Sequence, residues 1–431
     1  MSSEYLDALK LTRERRYEQA APVLVEVCRA APAAFEPWTL LALCLLCLGR
    51  FADLQAVIGS RHRQAGDGLK CFNTCLSLAL EASEYAAIRN VVTAIPKDSA
   101  LTIVAQYMAG VVDALDGNVD GGIEKIQNAA TMIAALPPDL AADPSIETII
   151  NEACLLAPSA VVAELERSDF RGLVAALGGV AETLSLSGKM PGAPREKYVF
   201  LSSCDQHYLE RFGETIVRAL DATGADTIYH LHVVDPSPEV AATIAHLQSC
   251  CSSLTLNYST EVDGRADRGY ARAEFYACSR LVRLPEIFAL YDRDVFMWDM
   301  DTSRVTDLAA LVGAMKGFDL GYFEMKNTRL TLVAHLAAVY FANTPAARRL
   351  GKVLGNYILT KFVSAPLWLL DQASVYCSAR FLGAVDSDFH IRDFAATGRD
   401  FLSYVDVASS AEEKQAMRKS AAPIEARSPA A

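Results

Sequence analysis

The sequence has no excess of positive charge and no long hydrophobic run. Its formal net charge is −12, which argues against non-specific binding to nucleic acid, because such binding requires a basic surface. No apolar run is long enough to cross a bilayer, and the first residues lack the basic and apolar regions of a secretory signal. We therefore expect a soluble, cytoplasmic protein without an integral membrane segment.

Length and composition predict two globular domains. The 431 residues exceed what one hydrophobic core usually holds. With 52% hydrophobic and 21% charged residues, the chain has no room for a large disordered region. The last stretch, 409–431, is polar and lacks apolar periodicity, so we expect a disordered tail there.

The eleven cysteines raise the question of a metal site. Cys44 with Cys47, and Cys71 with Cys75, have the spacing of two pairs of zinc ligands. However, the first pair lies inside an apolar helical run that has no loop to surround an ion. Buried free thiols behave as small apolar side chains, so reduced core cysteines are the favoured interpretation and zinc is the alternative.

A repeat occupies the first part of the chain. Tyr17, Phe51, Tyr85 and Val119 recur at a constant interval, which is the roughly 34-residue period of tetratricopeptide repeats. The pattern resembles such repeats, in which each helix pair buries its aromatic residue by stacking on the next pair. The resemblance implies a helical solenoid over residues 1–185 that binds an acceptor or partner; a purely structural support is the alternative.

A linker rich in glycine and proline, 186–196, separates this region from a second domain over 197–408. Strands and helices alternate after the linker, which predicts a parallel sheet with helices on both faces. The predicted strands include Tyr198–Ser202, Thr227–Val234, Leu254–Tyr258, Leu320–Phe323 and Ala338–Phe341.

A short apolar stretch, Asp294–Trp298, is typical of a buried strand, and two carboxylates follow it. If the chain stays extended, Asp299 and Asp301 project to the same side, because side chains alternate along a strand. Two hard oxygen ligands at the carboxyl end of a strand suit Mg²⁺ or Mn²⁺. The alternative is a solvated acidic turn.

The motifs around this pair resemble glycosyltransferase family 8, whose members have the GT-A (Rossmann-like) fold. They are an aromatic and Arg-Leu segment at Phe275–Leu281, Leu-Pro at Leu284, and Asp-Leu at Asp307, and the resemblance covers roughly 197–401. It implies metal-dependent transfer of a sugar from a nucleotide-sugar, commonly a UDP-sugar, to a polysaccharide, glycolipid or protein. It also implies retention of anomeric configuration, with Asp299 and Asp301 holding Mn²⁺ against the diphosphate.

The resemblance gives roles to further residues. Tyr208 would stack on the base, Asp205 would contact the base or ribose, and Arg280 would reach the diphosphate or donor sugar. Asp371 and Gln372 would border the donor sugar and the acceptor. The alternatives are a helix cap for Asp205, core packing for Tyr208, a surface ion pair for Arg280 and an ordinary helix start for Asp371.

Two departures from the family pattern bear on function. The family's Asn-Ala-Gly-Val is replaced by Leu336–Val339, so the amide that contacts the donor sugar is absent. The family's late histidine segment is also absent, which leaves His390 as the candidate third metal ligand, with an ordinary surface histidine as the alternative. Both departures support the rival interpretation, a repeat scaffold with a non-catalytic transferase-like domain.

Overall fold

The computed structural model describes residues 2–96, 99–169, 185–187, 198–223, 227–262, 272–300, 302–305, 308–364, 368–397 and 402–404. The chain divides into two compact units. The first is Met1–Pro158 with Met325–Leu332, and the second is Ser159–Glu324 with Val333–Ala431. The predicted tail, 409–431, lies outside the described residues. None of the described helices is by itself long and apolar enough to cross a membrane.

Helix–turn–helix pairs recur at a regular interval in the first unit. The second helix of successive pairs begins at Tyr17, Phe51, Tyr85 and Val119, which are the four predicted repeat positions. The helices are α1 Ser3–Arg13, α2 Tyr17–Ala30, α3 Phe35–Cys47, α4 Phe51–Ala65, α5 Gly68–Glu81, α6 Tyr85–Ala94, α7 Ala100–Leu115, α8 Val119–Met132, α9 Pro138–Ala141 and α10 Pro144–Leu155. A helical first half is therefore confirmed.

Four of the six cysteines of the first unit are thiols in the core, whereas Cys47 is partly buried and Cys154 is exposed. Cys44, Cys71 and Cys75 are buried on α3 and α5. Burial raises the pKa of Cys44 and of Cys71 to about 11, which keeps both thiols protonated at neutral pH. The hydroxyl of Thr39 donates to the Cys71 sulfur at 3.8 Å. These side chains fill the helical core, as expected of small apolar groups.

A close approach of α7 and α8 depends on glycine. A Cβ added at Gly110 would lie 2.7 Å from the carbonyl oxygen of Gly122 and 2.9 Å from a side-chain carbon of Ile126. Only hydrogen fits in that space, because real Cβ contacts are longer. The two helices consequently pack backbone against backbone at this point.

Residues 325–332 come from the second half of the chain but belong to the first unit. The Thr331 hydroxyl donates to Glu152 Oε1 at 2.6 Å, and the Tyr85 hydroxyl donates to Asn327 Oδ1 at 2.6 Å. Glu152 is buried, and that burial raises the pKa of its carboxyl. The helical unit is thus completed by a segment that lies far along the sequence.

The second unit contains an eight-stranded sheet whose strand order is β1-β4-β3-β2-β5-β8-β7-β9. Its strands are β1 Ser185–Ser187, β2 Tyr198–Asp205, β3 Thr227–Val234, β4 Thr255–Glu261, β5 Asp294–Trp298, β7 Leu320–Glu324, β8 Ala334–Phe341 and β9 Ile391–Asp393; a two-stranded sheet pairs β6 Thr302–Val305 with β10 Leu402–Tyr404. The helices are α11 Ser159–Arg167, α12 Gln206–Asp221, α13 Val240–Ser249, α14 Arg272–Val282, α15 Leu284–Tyr291, α16 Leu308–Met315, α17 Leu330–Val333, α18 Pro345–Ser364 and α19 Leu370–Val385, of which most of α17 belongs to the first unit.

The sheet is mixed, which corrects the prediction of a parallel sheet. Strands β4, β3, β2 and β5 are parallel, whereas β8 runs antiparallel to both β5 and β7. A parallel crossover needs a dozen or more residues. The connection 325–333 between β7 and β8 is shorter, so the chain returns in the opposite direction.

The second unit begins earlier than predicted. Helix α11 belongs to it, because the side-chain amide of Asn356 on α18 donates to Leu165 O at 2.6 Å, and Arg349 forms an ion pair with Glu166. Strand β1 pairs with β4 although it overlaps the predicted linker at 186–196. The boundary between the compact units therefore lies at Pro158, where the sequence predicted 185.

The strand order reverses between β2 and β5. From β2 the chain adds β3 and β4 on one side, and it then crosses to place β5 on the other side. In open α/β sheets, ligands bind at the carboxyl ends of strands beside such a reversal. Asp205 ends β2 and Asp299 directly follows β5, so two of the predicted site residues flank this point.

Candidate functional site

Four predicted site residues line one cavity of the second unit: Arg280, Asp299, Asp371 and Gln372. The cavity has a volume of about 160 Å³, which is the space of roughly five water molecules. Its walls come from α14, the turn after β5, the beginning of β8 and the beginning of α19. Residues that are distant in sequence thus form one polar site.

Arg280 links three of these walls. Its Nη1 lies 2.5 Å from Asp299 Oδ1, and its Nη2 donates to Leu336 O at 3.2 Å. The backbone N–H of Asp299 donates to Ala337 O at 3.0 Å, which holds the aspartate against β8. Arg280 is 4% exposed. Burial opposes its charge, but the carboxylates of Asp299 and Asp371 outweigh that effect and raise its pKa.

Asp371 is the second carboxylate of the cavity. It lies in the first turn of α19, where its Oδ1 accepts from the Gln372 N–H at 2.8 Å. Burial raises the pKa of Asp371, although the positive charge of Arg280 acts in the opposite direction. Two carboxylates, Asp299 and Asp371, therefore share the charge of one guanidinium.

Asp205 and Tyr208 stand at the carboxyl end of β2. Asp205 caps α12, because its Oδ1 accepts from the Tyr208 N–H at 2.7 Å. The Tyr208 side chain is 37% exposed, and its ring centroid lies 5.0 Å from that of Phe212. Neither residue lines the cavity of Arg280, and contact of both with a nucleotide stays a prediction.

His390 lies at the opposite end of the sheet from Asp299. Its backbone N–H donates to Asp319 Oδ2 at 2.9 Å, and it directly precedes Ile391, which is paired with Leu320. Leu320 on β7 pairs with Phe341 on β8, and Phe341 pairs with Val295 on β5, so His390 is level with the amino end of β5. Asp299 follows the carboxyl end of β5. The separation along the strands is about 15 Å, so the structure does not bring His390 together with Asp299.

Of the two described carboxylates of the cavity, Asp299 is the one that the sequence predicted as a metal ligand. The Asp299 side chain is 39% exposed and so is accessible to an ion. Asp301 lies outside the described residues. Among the described residues, one group of three possible metal ligands has its ligand atoms within 4.8 Å of one another: Glu214, His246 and Cys250. None of these three residues lines the cavity. Asp299 is therefore a candidate metal ligand, and its joint action with Asp301 in holding an ion stays a prediction.

Among the other residues that line the cavity, His335 and Trp368 have functional side chains that the sequence analysis did not assign to the site. His335 lies near the beginning of β8, and Trp368 lies three residues before Asp371. Trp368 is 55% exposed. The sequence indicated Trp368 only through its proximity to Asp371. It was missed because an apolar Trp-Leu-Leu run also suits the buried start of a helix.

No protein-family model matches the chain, and no curated protein matches it in sequence. Among solved structures, the chain is similar to the apo form of the bifunctional glycosyltransferase WbbM, with 15% identity and a TM-score of 0.31. The match covers 50% of this chain and 41% of that protein. The chain thus corresponds to less than half of that protein's length. A likeness at this level carries no argument about activity, which has to come from the site itself.

Proposed function

We propose that the second unit is a nucleotide-sugar-dependent glycosyltransferase, with a UDP-sugar as the donor and a polysaccharide, glycolipid or protein as the acceptor. The observation that carries the proposal is the meeting of Arg280, Asp299, Asp371 and Gln372 in one cavity beside the strand reversal. A buried cation, partly exposed carboxylates and an amide provide binding groups for a diphosphate and for sugar hydroxyls.

In the transfer, the bond between the anomeric carbon and the diphosphate oxygen breaks, and the acceptor oxygen bonds to that carbon while losing its proton. Arg280 would stabilise the negative charge that develops on the departing diphosphate, because a fixed guanidinium in a partly desolvated site needs little reorganisation. The hydrogen bond that Arg280 Nη2 donates to Leu336 O fixes the orientation of the guanidinium group.

Asp299, together with Asp301, would hold Mn²⁺ or Mg²⁺. The chemistry that such an ion supplies when bound is neutralisation of the diphosphate leaving group. Asp205 and Tyr208 would hold the ribose and base at the carboxyl end of β2. Burial raises the pKa of Asp371, which makes this carboxylate a better acceptor for a hydroxyl proton and suits a position beside the sugar and acceptor.

Calorimetry with UDP in the presence and absence of Mn²⁺ tests the proposal. In wild-type protein we expect binding that depends on the ion. Asp299→Asn and Asp301→Asn should each weaken it at least tenfold, about 1.4 kcal/mol, because the charge is lost with little change in shape. Asp388→Asn, an exposed carboxylate at the other end of the sheet, should bind as the wild type does. Ion-independent binding, or full affinity in both variants, would place the metal elsewhere.

For the first unit, we propose a tetratricopeptide-like array whose surface binds the acceptor or a partner protein. The support is the regular recurrence of helix pairs, whose second helices begin at the four predicted repeat positions. The contacts of Glu152 with Thr331 and of Tyr85 with Asn327 favour an additional supporting role, because the array also holds residues 325–332 of this chain.

A scaffold with a non-catalytic second unit is the other candidate function. The ion pair between Arg280 and Asp299 favours it, since the carboxylate proposed for the metal already has a cationic partner. The same calorimetry separates the two: an absence of UDP binding in wild-type protein, with and without Mn²⁺, supports the scaffold.

A further inference from the structure

Trp368 is exposed at the cavity of Arg280, Asp299 and Asp371. The chain has three tryptophans, and the other two are in the core: Trp38 is 8% exposed and Trp298 is 0% exposed, against 55% for Trp368. Leaving a large aromatic side chain in water forgoes the free energy of burial, about 25 cal/mol for each Å² of apolar surface. An aromatic residue exposed at the wall of a polar cavity is a feature of ligand sites.

The backbone beside Trp368 is held in an uncommon conformation. Leu369 has φ 75° and ψ 16°, in the left-handed region, and it caps α19 without a side-chain hydrogen bond. For a residue with a Cβ this conformation costs about 1–2 kcal/mol. Such strain is retained mainly at functional sites, where it directs neighbouring side chains. Here it sets the turn that carries Trp368 on one side and Asp371 on the other.

We infer that Trp368 is the platform on which the ring of a saccharide acceptor stacks, with Asp371 and Gln372 binding its hydroxyls. The inference rests on the proposed transferase function. One face of a pyranose presents C–H bonds, which pack on an indole, and its hydroxyls lie around the edge, where carboxylate and amide oxygens accept hydrogen bonds. An indole, a carboxylate and an amide line this cavity, on Trp368, Asp371 and Gln372.

The proposed position of the nucleotide favours a saccharide over the base at Trp368. The base is assigned to Tyr208, which does not line this cavity, and the diphosphate to Arg280 and Asp299. Asp371 is the carboxylate that remains for a ligand at Trp368, and carboxylate oxygens accept hydrogen bonds from the hydroxyls of a neutral saccharide.

Tryptophan fluorescence tests the inference directly, because Trp368 is the exposed tryptophan. The probes are the methyl glycosides of glucose, galactose and mannose, and lactose, each added with UDP and Mn²⁺. At least one should protect wild-type protein from acrylamide quenching by about twofold or more, as expected for an aromatic residue covered by its ligand. In Trp368→Phe the quenchable signal and its protection should both disappear.

Kinetics provide the second readout. Trp368→Ala should raise the KM for the protecting saccharide about tenfold, the loss that alanine substitution of a stacking aromatic residue commonly gives. Trp368→Phe should recover most of that loss. UDP affinity and slow donor hydrolysis should be unchanged in both. Val385→Ala, which alters an equally exposed apolar side chain at the far end of α19, should match wild-type protein.

The outcomes separate this inference from the proposed function. No protection by any of the saccharides while UDP binds normally would overturn the saccharide platform and leave the transferase proposal standing. A loss of UDP affinity in Trp368→Ala, without a saccharide effect, would assign the indole to the base instead and also overturn it. An absence of UDP binding in wild-type protein would instead reject the transferase proposal on which the inference rests.

Discussion

The Nη1 of Arg280 lies 2.5 Å from Asp299 Oδ1, while the Nη2 of the same side chain donates to Leu336 O. One guanidinium therefore joins α14 to the end of β5 and to the beginning of β8. Arg280 is buried and Asp299 is partly exposed, so the ion pair forms one wall of the cavity while its carboxylate remains accessible.

Arg280→Met should lower the free energy of unfolding by about 2 kcal/mol. This is less than the roughly 3–5 kcal/mol typical of a broken buried pair, because Asp299 is partly solvated. Arg280→Lys should cost about half as much, since an ammonium group keeps the charge but cannot contact Asp299 and Leu336 O in the same geometry. Urea unfolding measures both. Wild-type stability in the methionine variant would show that the ion pair contributes nothing to the fold.

Asp371→Asn should stabilise the protein at pH 7 and abolish sugar transfer. Burial raises the folded-state pKa of this carboxyl above its ordinary value of 3.8. Between those two pKa values the folded state binds more protons than the unfolded state, so its contribution to stability falls as the pH rises. The neutral amide of the asparagine variant does not lose a proton, so it does not reduce stability as the pH rises.

Urea unfolding at pH 4 and pH 7 checks this expectation, because the gain of Asp371→Asn over wild type should be larger at pH 7. UDP affinity should stay nearly unchanged, since Asp371 is assigned to the sugar and acceptor. A parallel loss of UDP affinity would show that the residue acts as a structural cap of α19.

Sequence patterns located the elements of the second unit well and the contacts between them poorly. Asp294–Trp298 is a strand as predicted, because a short apolar run between charges has few other stable arrangements. The position of His390 in the sheet could not be predicted from the sequence, because the register of β9 on β7 depends on pairing between distant segments. The position of Asp299 directly after β5, by contrast, was predicted correctly, because the carboxyl end of a buried strand is a local feature.

The domain boundary shows the same limitation. The glycine- and proline-rich stretch predicted a division at 185, but Asn356 on α18 binds the backbone of α11. No local composition marks α11 as part of the sheet unit. Nor does any local signal assign residues 325–332 to the helical unit, since that assignment depends on Glu152 and Tyr85.

Glu261→Gln should lower the free energy of unfolding by about 2 kcal/mol at pH 7, because it leaves the buried Arg283 with Glu286 as its remaining carboxylate partner. Glu261 Oε1 lies 2.6 Å from Arg283 Nη2, and Oε2 lies 3.0 Å from His232 Nε2. Burial alone would raise the pKa of Glu261, but hydrogen bonds from His232 and Arg283 outweigh it and lower the pKa to about 2.

The difference between Glu261→Gln and wild type should shrink as the pH falls from 4.5 toward 2, where the wild-type carboxyl takes up its proton. Urea unfolding across this range measures it, with Glu239→Gln, an exposed glutamate, as the control. If the difference in unfolding free energy between Glu261→Gln and wild type stayed constant with pH, the charge of Glu261 would not be the cause of that difference.

Gly110→Ala and Gly59→Ala should change stability in opposite directions. At Gly110 the new Cβ would meet the Gly122 carbonyl at 2.7 Å, and forcing α7 from α8 should cost about 1–3 kcal/mol. At Gly59, inside α4, the nearest atom is a flexible Arg63 side-chain nitrogen at 3.5 Å, so alanine should add up to about 1 kcal/mol through helix propensity. Thermal unfolding of both variants provides the comparison, and equal shifts would contradict the close approach of the two helices.

The segment Met325–Leu332 also affects the order in which the protein is made. The helical unit otherwise ends at Pro158, so its remaining segment is synthesised only after most of the sheet strands. At the usual rate of translation the delay is about 10–35 s. During this interval the chain lacks Thr331, whose hydroxyl donates to Glu152 in the folded unit. The helical unit is therefore complete only after most of the sheet strands have been translated, although its larger part is translated first.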